Sequence, residues 1–202
     1  MNKKGCLIGV VILLAVIIVL AVGCLSYGIK THNRIVTVEE GVNAQWAKVE
    51  NQYQRRADLI PNLVNTVKGY ASHESQTLEA VIEARARATQ ISIDADQLSE
   101  ESLRRFQQAQ GELSQALGRL LAVTENYPEL KANQNFLELQ AQLEGTENRI
   151  ATERMRYTDC VKEYNTLIRK FPVNLVASIG GFDKKPQFEA EAGAEKAPEV
   201  QF

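Results

Sequence analysis

Leu143-Glu144-Gly145-Thr146-Glu147-Asn148-Arg149-Ile150-Ala151-Thr152-Glu153-Arg154-Met155-Arg156-Tyr157 decides the fold class. Positions 143, 146, 150, 153 and 157 recur at spacings of three and four, which places them on one stripe of a helix. The stripe extends upstream through Phe136 and Leu139 and downstream through Cys160, Tyr164, Leu167 and Phe171. It predicts a helix over residues 129–171, about 64 Å long at 1.5 Å per residue, with a coiled-coil-like seam. A second stripe, Leu103, Phe106, Gln110, Leu113, Leu117, Leu120 and Thr124, predicts a helix over residues 99–126. Tyr127-Pro128 joins the two so tightly that they should pack antiparallel.

Further upstream, Ile35, Val38, Val42, Gln45 or Trp46, Val49, Gln52 or Tyr53, and Arg56 or Ile60 continue the helical spacing from near Tyr27. Pro61 removes an amide donor, so a kink or a restart is expected there. Leu63, Val64, Val67 and Tyr70 carry the pattern on to Ala71. Ser72 can then cap a new helix carrying Leu78, Val81, Ile82 and Ile91, with Glu74 in its first turn. Residues 93–99 read as its connection to the Leu103 helix. The expected fold is all-α, an antiparallel four-helix bundle over residues 27–172. After Pro172 an apolar loop ends in Gly180-Gly181, an ordinary turn sequence. The Glu-, Ala- and Pro-rich remainder is too poor in apolar residues to bury a core, so residues 173–202 read as a short loop and a disordered acidic tail.

Ahead of the bundle, residues 1–26 read as a membrane anchor. Gly5 to Leu25 is 21 residues without a charge, and as a helix it covers about 30 Å of hydrocarbon. This run exceeds the core of a cleaved signal peptide. Leu20-Ala21-Val22-Gly23-Cys24 leaves a lipidated Cys24 as a further alternative, although Ala21 is a poor lipobox residue. The lipid bilayer is therefore an expected partner through Gly5 to Leu25. Lys3 and Lys4 on one side are balanced by Lys30, Arg34 and Lys48 on the other, so charge counting does not settle the orientation.

The whole chain carries 23 Lys+Arg against 25 Asp+Glu, and that balance speaks against bulk attraction to nucleic acid. Cys160 is the one cysteine beyond the anchor and cannot form an intramolecular disulfide in the bundle. The two histidines, His32 and His73, share no metal-ligand spacing with Cys, Asp or Glu. Neither a phosphate-cradling nor a dinucleotide glycine motif occurs. Exposed helical carboxylates such as Glu83 and Glu101 have i,i+4 arginine partners and read as solvated-face residues. These features point to no catalytic residue, no cofactor and no metal.

Polar residues within the stripes are more informative. Glu153 lies between Ile150 and Tyr157, and Arg56 lies between Val49 or Tyr53 and Ile60, so both are expected to be partly buried. An unpaired buried charge is costly, which predicts a contact between Glu153 and Arg56 or Arg55 that fixes helix register, with Tyr157 or Asp58 nearby. The run Glu50 to Leu63, dense in hydrogen-bonding side chains beside Pro61, has two readings. One is a contact surface for a partner or a second copy; the other is a kink whose freed backbone groups need polar partners. Arg55, Arg56, Asp58, Asn62, Glu153, Arg154 and Tyr157 are accordingly the structural or partner-contact candidates.

At these residues the chain resembles the LemA family of bacterial membrane proteins. The resemblance is carried by Gln52-Tyr53-Gln54-Arg55-Arg56-x-Asp58-Leu59-Ile60-Pro61-Asn62-Leu63-Val64 and Val67-Lys68-Gly69-Tyr70-Ala71-x-His73-Glu74. Tyr127-Pro128-x-Leu130-Lys131, Arg149-Ile150-Ala151-x-Glu153-Arg154-x-Arg156-Tyr157, Phe171-Pro172-x-Asn174-Leu175 and Phe188-Glu189-Ala190 continue it. It implies a single-pass bacterial cell-membrane protein with a soluble four-helix bundle and no established enzymatic activity. It also implies a short N-terminus outside and the bundle inside, the reverse of what Lys3 and Lys4 suggest alone.

The leading expectation is a non-enzymatic scaffold of the bacterial cell envelope that binds an unknown protein partner or forms a homo-oligomer. The alternative is a membrane-tethered adaptor for proteolysis or envelope signalling. In that reading Val200-Gln201-Phe202 is a ligand for a carboxylate-capturing groove.

Overall fold

The computed structural model of the chain describes residues 3–189. Residues 190–202, with the Val200-Gln201-Phe202 end and most of the expected tail, lie outside the described residues. The described chain is all-helical: α1 (Lys3–Lys68), α2 (Ser75–Gln90), a 3-10 turn (Ala95–Gln97), α3 (Glu100–Thr124), α4 (Pro128–Lys131), α5 (Gln134–Arg169) and α6 (Val173–Gly180). It divides into two compact units, Met1–Gly41 with Lys162–Lys184, and Val42–Val161 with Lys185–Phe202.

From Val11 to Leu25, α1 is apolar and exposed on every side. Val11, Ile12, Leu13 and Leu14, four consecutive residues that together circle the helix, all remain more than half exposed. This helix is long and apolar enough to cross a membrane, and water-exposed apolar area of this extent is rare on soluble proteins. The rest of the smaller unit buries Thr31, Ile35, Tyr164, Leu167, Ile168 and Ala177.

In the larger unit the two stripes are largely inward. Leu103, Phe106, Gln110, Leu113, Leu117, Leu120 and Thr124 of α3 are all buried, as are Phe136, Leu143, Thr146, Ile150 and Tyr157 of α5. Ser99 caps α3 as a capping box with Ser102, satisfying amides that the first turn otherwise leaves open. The expected single helix over residues 129–171 is instead two helices. Pro128 starts the one-turn α4, and Asn133 Oδ1 accepts the Phe136 amide at 3.0 Å at the head of α5. An asparagine that satisfies a first-turn amide favours a new start over continuation. Helix α5 ends at Arg169, so Phe171, expected as the last stripe residue, is 81% exposed.

Three further expectations are corrected. Ser72 does not cap α2, which begins at Ser75 after Glu74; the Glu74 carboxylate instead accepts the Tyr127 hydroxyl at 3.1 Å. The apolar stretch after Pro172 is the helix α6, not a loop; Gly181, at φ 73, ends it in the left-handed region, where glycine carries no Cβ penalty. Pro61 neither ends nor restarts α1, which runs through it. A helical proline frees the carbonyl four residues earlier, here that of Ala57. Arg85 Nε of α2 donates to this oxygen at 2.7 Å, replacing the missing donor with a charged one.

This repair can be measured by a double-mutant cycle. Arg85→Met should cost about 1–3 kcal/mol by leaving the Ala57 carbonyl without a donor, read from urea unfolding of the full chain in detergent. In a Pro61→Ala background the restored backbone amide serves that carbonyl, and the same Arg85→Met change should cost less than half as much.

Candidate functional site

Arg56 is the centre of the larger unit. Its stripe position on α1 places a long charged side chain where an apolar one would ordinarily sit, and it is only 1% exposed. One terminal nitrogen donates to Ser114 Oγ and to Glu147 Oε1, each at 2.8 Å. The other donates to both the side-chain and backbone oxygens of Gln110. The Tyr53 ring lies under the guanidinium carbon at 5.1 Å. Gln110 also reaches across to the Ala88 carbonyl. One guanidinium thus ties α1 to α3 and α5, and Gln110 extends the network to α2.

The carboxylate partner of Arg56 is Glu147, not Glu153 as the stripe predicted. Glu147 lies beside the stripe, and its side chain is 45% exposed. An arginine long enough to reach a carboxylate at the edge leaves that carboxylate partly hydrated, which avoids desolvating both charges. Glu153 is half-buried and has other partners. It accepts from Gln45 Nε2 at 2.6 Å and from Arg156 at 2.7 Å. Arg55, Asp58 and Asn62 all lie on the exposed side of α1, and Asp58 accepts from Gln54 at 2.8 Å. The structure therefore brings Arg56 and Tyr157 into the interior, leaves Glu153 and Arg154 at its margin, and leaves the other three outside.

Beside Arg56 runs a groove of about 570 Å³ lined by Arg104, Gln107, Gln115, Glu147, Arg154 and Glu189, among others. Its charges are mixed, suiting a polar surface better than a single-sign ligand. Among the described residues no group of three His, Cys, Asp or Glu is placed to hold a metal ion.

An aromatic cluster closes one side. Trp46 donates its indole N–H to the Ile93 carbonyl at 3.0 Å and meets Phe106 and Tyr157 edge-on at 5.4 and 5.5 Å. Phe188 stacks on Trp46 at 6.0 Å, and Arg154 lies over the Phe188 ring at 4.5 Å. The Tyr157 hydroxyl donates to the Pro186 carbonyl at 3.0 Å. Gln107 and the Glu189 backbone exchange hydrogen bonds. Pro186 to Glu189, expected within a disordered tail, instead pack on the core, because one aromatic ring and a buried proline supply the apolar area that their neighbours lack. The signal in the sequence was Phe188 itself, an isolated aromatic in a polar stretch. Burial pushes the Tyr157 hydroxyl well above the ordinary tyrosine value and raises Tyr53 in the same direction. It also raises Glu50 beside Ile93, where Asp94 adds repulsion.

The LemA family model matches residues 45–202. Magnetosome protein MamQ 2 of Paramagnetospirillum magneticum is 29% identical over 175 residues, covering 78% of this chain. This chain spans 64% of the length of that relative. Magnetosome protein MamQ of Magnetospirillum gryphiswaldense is 28% identical over 201 residues, or 90% of this chain and 74% of the relative. Protein LemA of Metamycoplasma hominis is 22% identical over 145 residues, or 72% of this chain and 63% of the relative.

Two measurements probe the site. Arg56→Ala should lower the stability of the full chain in detergent by about 3 kcal/mol, because the buried Gln110 loses its donor and the volume of the arginine is left empty. Arg56→Lys should recover little, since one ammonium cannot span both sides of the fork. Glu147→Gln should cost less, about 1–2 kcal/mol: the carboxylate is half in solvent, but its loss leaves the buried Arg56 charge without a counter-ion. In alkali the unfolded phenols ionise near pH 10 while Tyr157 stays neutral in the fold, so stability held below that pH falls as pH rises toward the raised folded value. Tyr157→Phe should flatten this fall in urea midpoints between about pH 8 and 11, at a pH-independent cost of about 1 kcal/mol for the lost Pro186 bond.

Proposed function

The chain belongs to the LemA family, and from that premise we propose that it is a non-enzymatic scaffold held at a bacterial membrane by the apolar start of α1. In this reading α1 crosses the bilayer once. The soluble portion over residues 27–172 is an antiparallel four-helix bundle that presents polar helix surfaces to a protein partner or to further copies of itself. The observation that carries the proposal is the Arg56 network. Four hydrogen bonds, counting both Gln110 oxygens, and the contact with the Tyr53 ring are spent on fixing the relative register of helices. The arginine is walled in by its own acceptors rather than aimed at a substrate, and polar interior groups used in this way specify arrangement. The magnetosome relatives are named for a cell structure rather than for a reaction, which supports a part in an assembly. Anchoring raises the local concentration of bundles near one surface, so weak lateral contacts can suffice.

Photocrosslinking from Gln107 and Gln115 in the groove, followed by isolation from native membranes, tests this reading. The expected product is a discrete homo-oligomer or one reproducible heterologous partner, formed equally well after Val200 to Phe202 are deleted. Recovery of monomer alone from both positions overturns it. Loss of the product on that deletion transfers the contact to the C-terminal segment and favours an adaptor role.

A further inference from the structure

We propose that α6 is a second membrane contact, lying in the lipid–water interface of the same bilayer that the start of α1 enters. The inference rests on the reading of α1 as a membrane span and concerns only the smaller unit.

Apart from a narrow polar edge at Asn174 and Ser178, α6 is apolar well beyond the face it packs. Ala177 is buried against the unit and Val173 and Val176 are half-buried, whereas Leu175 is 55% and Ile179 89% exposed. Phe171, immediately before the helix, adds an exposed aromatic ring. Leu175 and Ile179 are four residues apart and share one helix face. Helix faces this apolar are ordinarily buried in protein or in lipid, and the outward face of α6 is covered by nothing within its unit.

The position of that face identifies what covers it. The C-terminal turn of α6 lies against the stretch of α1 where the exposed apolar run ends. Cys24, Leu25, Gly28, Ile29 and His32 on α1, with Val176, Ile179 and Gly180 opposite, line an apolar hollow of about 400 Å³. Leu25 and Ile29 remain 67% and 56% exposed, so the lipid-facing surface of α1 continues without a break to Ile179. The close approach is built in. A Cβ at Gly180 would lie 3.4 Å from His32 Nδ1 of α1 and 2.7 Å from the Phe182 ring, and that ring packs on His32 at 5.1 Å.

Charge gives an independent indication. From Ser26 to Val38 and from Thr166 to Phe182 the charged residues are Lys30, Arg34, Arg169 and Lys170, all exposed and all basic; acid appears just beyond these stretches, at Glu39, Glu163 and Asp183. In a chain with an overall excess of acid, four cations beside an apolar stripe match anionic lipid headgroups. A soluble protein partner would account for the stripe but not for its continuity with the apolar run of α1.

Tryptophan reporters in the full chain, reconstituted into vesicles of phosphatidylcholine and phosphatidylglycerol, test the inference. Ile179→Trp and Leu175→Trp replace exposed residues, and the signal of the buried Trp46 in the parent is subtracted. Far-UV circular dichroism checks that helicity is kept. The added emission at 179 should fall about twofold with lipid brominated just below the headgroup and be largely protected from aqueous iodide. Val19→Trp serves as the reference for the span and should be quenched by lipid brominated deep in the acyl chain. If Val19→Trp is quenched while both α6 reporters are quenched by iodide and not by lipid, the interfacial helix is refuted and the span stands. If the α6 reporters are shielded from lipid and iodide alike, protein covers the face and the inference fails as well. If Val19→Trp is itself untouched by brominated lipid, the span fails and takes the inference with it.

Discussion

The larger unit depends on one demand, that a guanidinium removed from water must find acceptors from several directions at once. Arg56 meets it at its two terminal nitrogens by drawing Gln110, Ser114 and Glu147 toward one point, while Nε is buried without an acceptor. Apolar stripes alone would tolerate sliding by a heptad, because leucine against leucine is much the same at successive turns. The arginine network does not tolerate it, since any slip separates the fork from its oxygens. Leaving Glu147 half in solvent keeps the desolvation cost to one charge of the pair.

Pro61 poses a related problem in the backbone. Its missing amide could have restarted the helix at that point, the outcome that the sequence alone left open beside a kink. Arg85 from α2 supplies the donor that the Ala57 carbonyl lacks, so a neighbouring helix repairs the ladder and α1 remains one element from the apolar run to Lys68. Two arginines thus serve different ends within one turn of α1. Arg56 organises side chains from inside the helix packing, and Arg85 completes a main chain from outside it.

Much of the helical content was legible because it depends on local periodicity. The α3 stripe is buried at every position named from the sequence, and the helix begins at Glu100, within one residue of the expected start. Burial of Arg56 and partial burial of Glu153 also followed from phase along a helix. Their partners did not. An arginine spans several ångströms and selects a carboxylate by reach and hydration, so Glu147 beside the stripe won over Glu153 within it. The return of Phe188 to Trp46 was hidden for a similar reason. Composition averages a segment, whereas one ring in a shaped cavity can hold it. Helix α6 was missed because a short apolar run after a proline carries too few residues to show a period.

By itself, the sequence determined that this is an all-helical chain with an apolar N-terminal helix, and its spaced motifs placed it in the LemA family. Those properties reside in residue order: the spacing of apolar side chains, the length of a charge-free run, and the identity of residues at fixed intervals. Tertiary structure alone decided which carboxylate serves Arg56, which donor serves the carbonyl freed by Pro61, and whether Phe188 is packed. Each of these is a competition among groups distant in sequence for one place, and only the folded arrangement sets the distances and hydration that choose the winner.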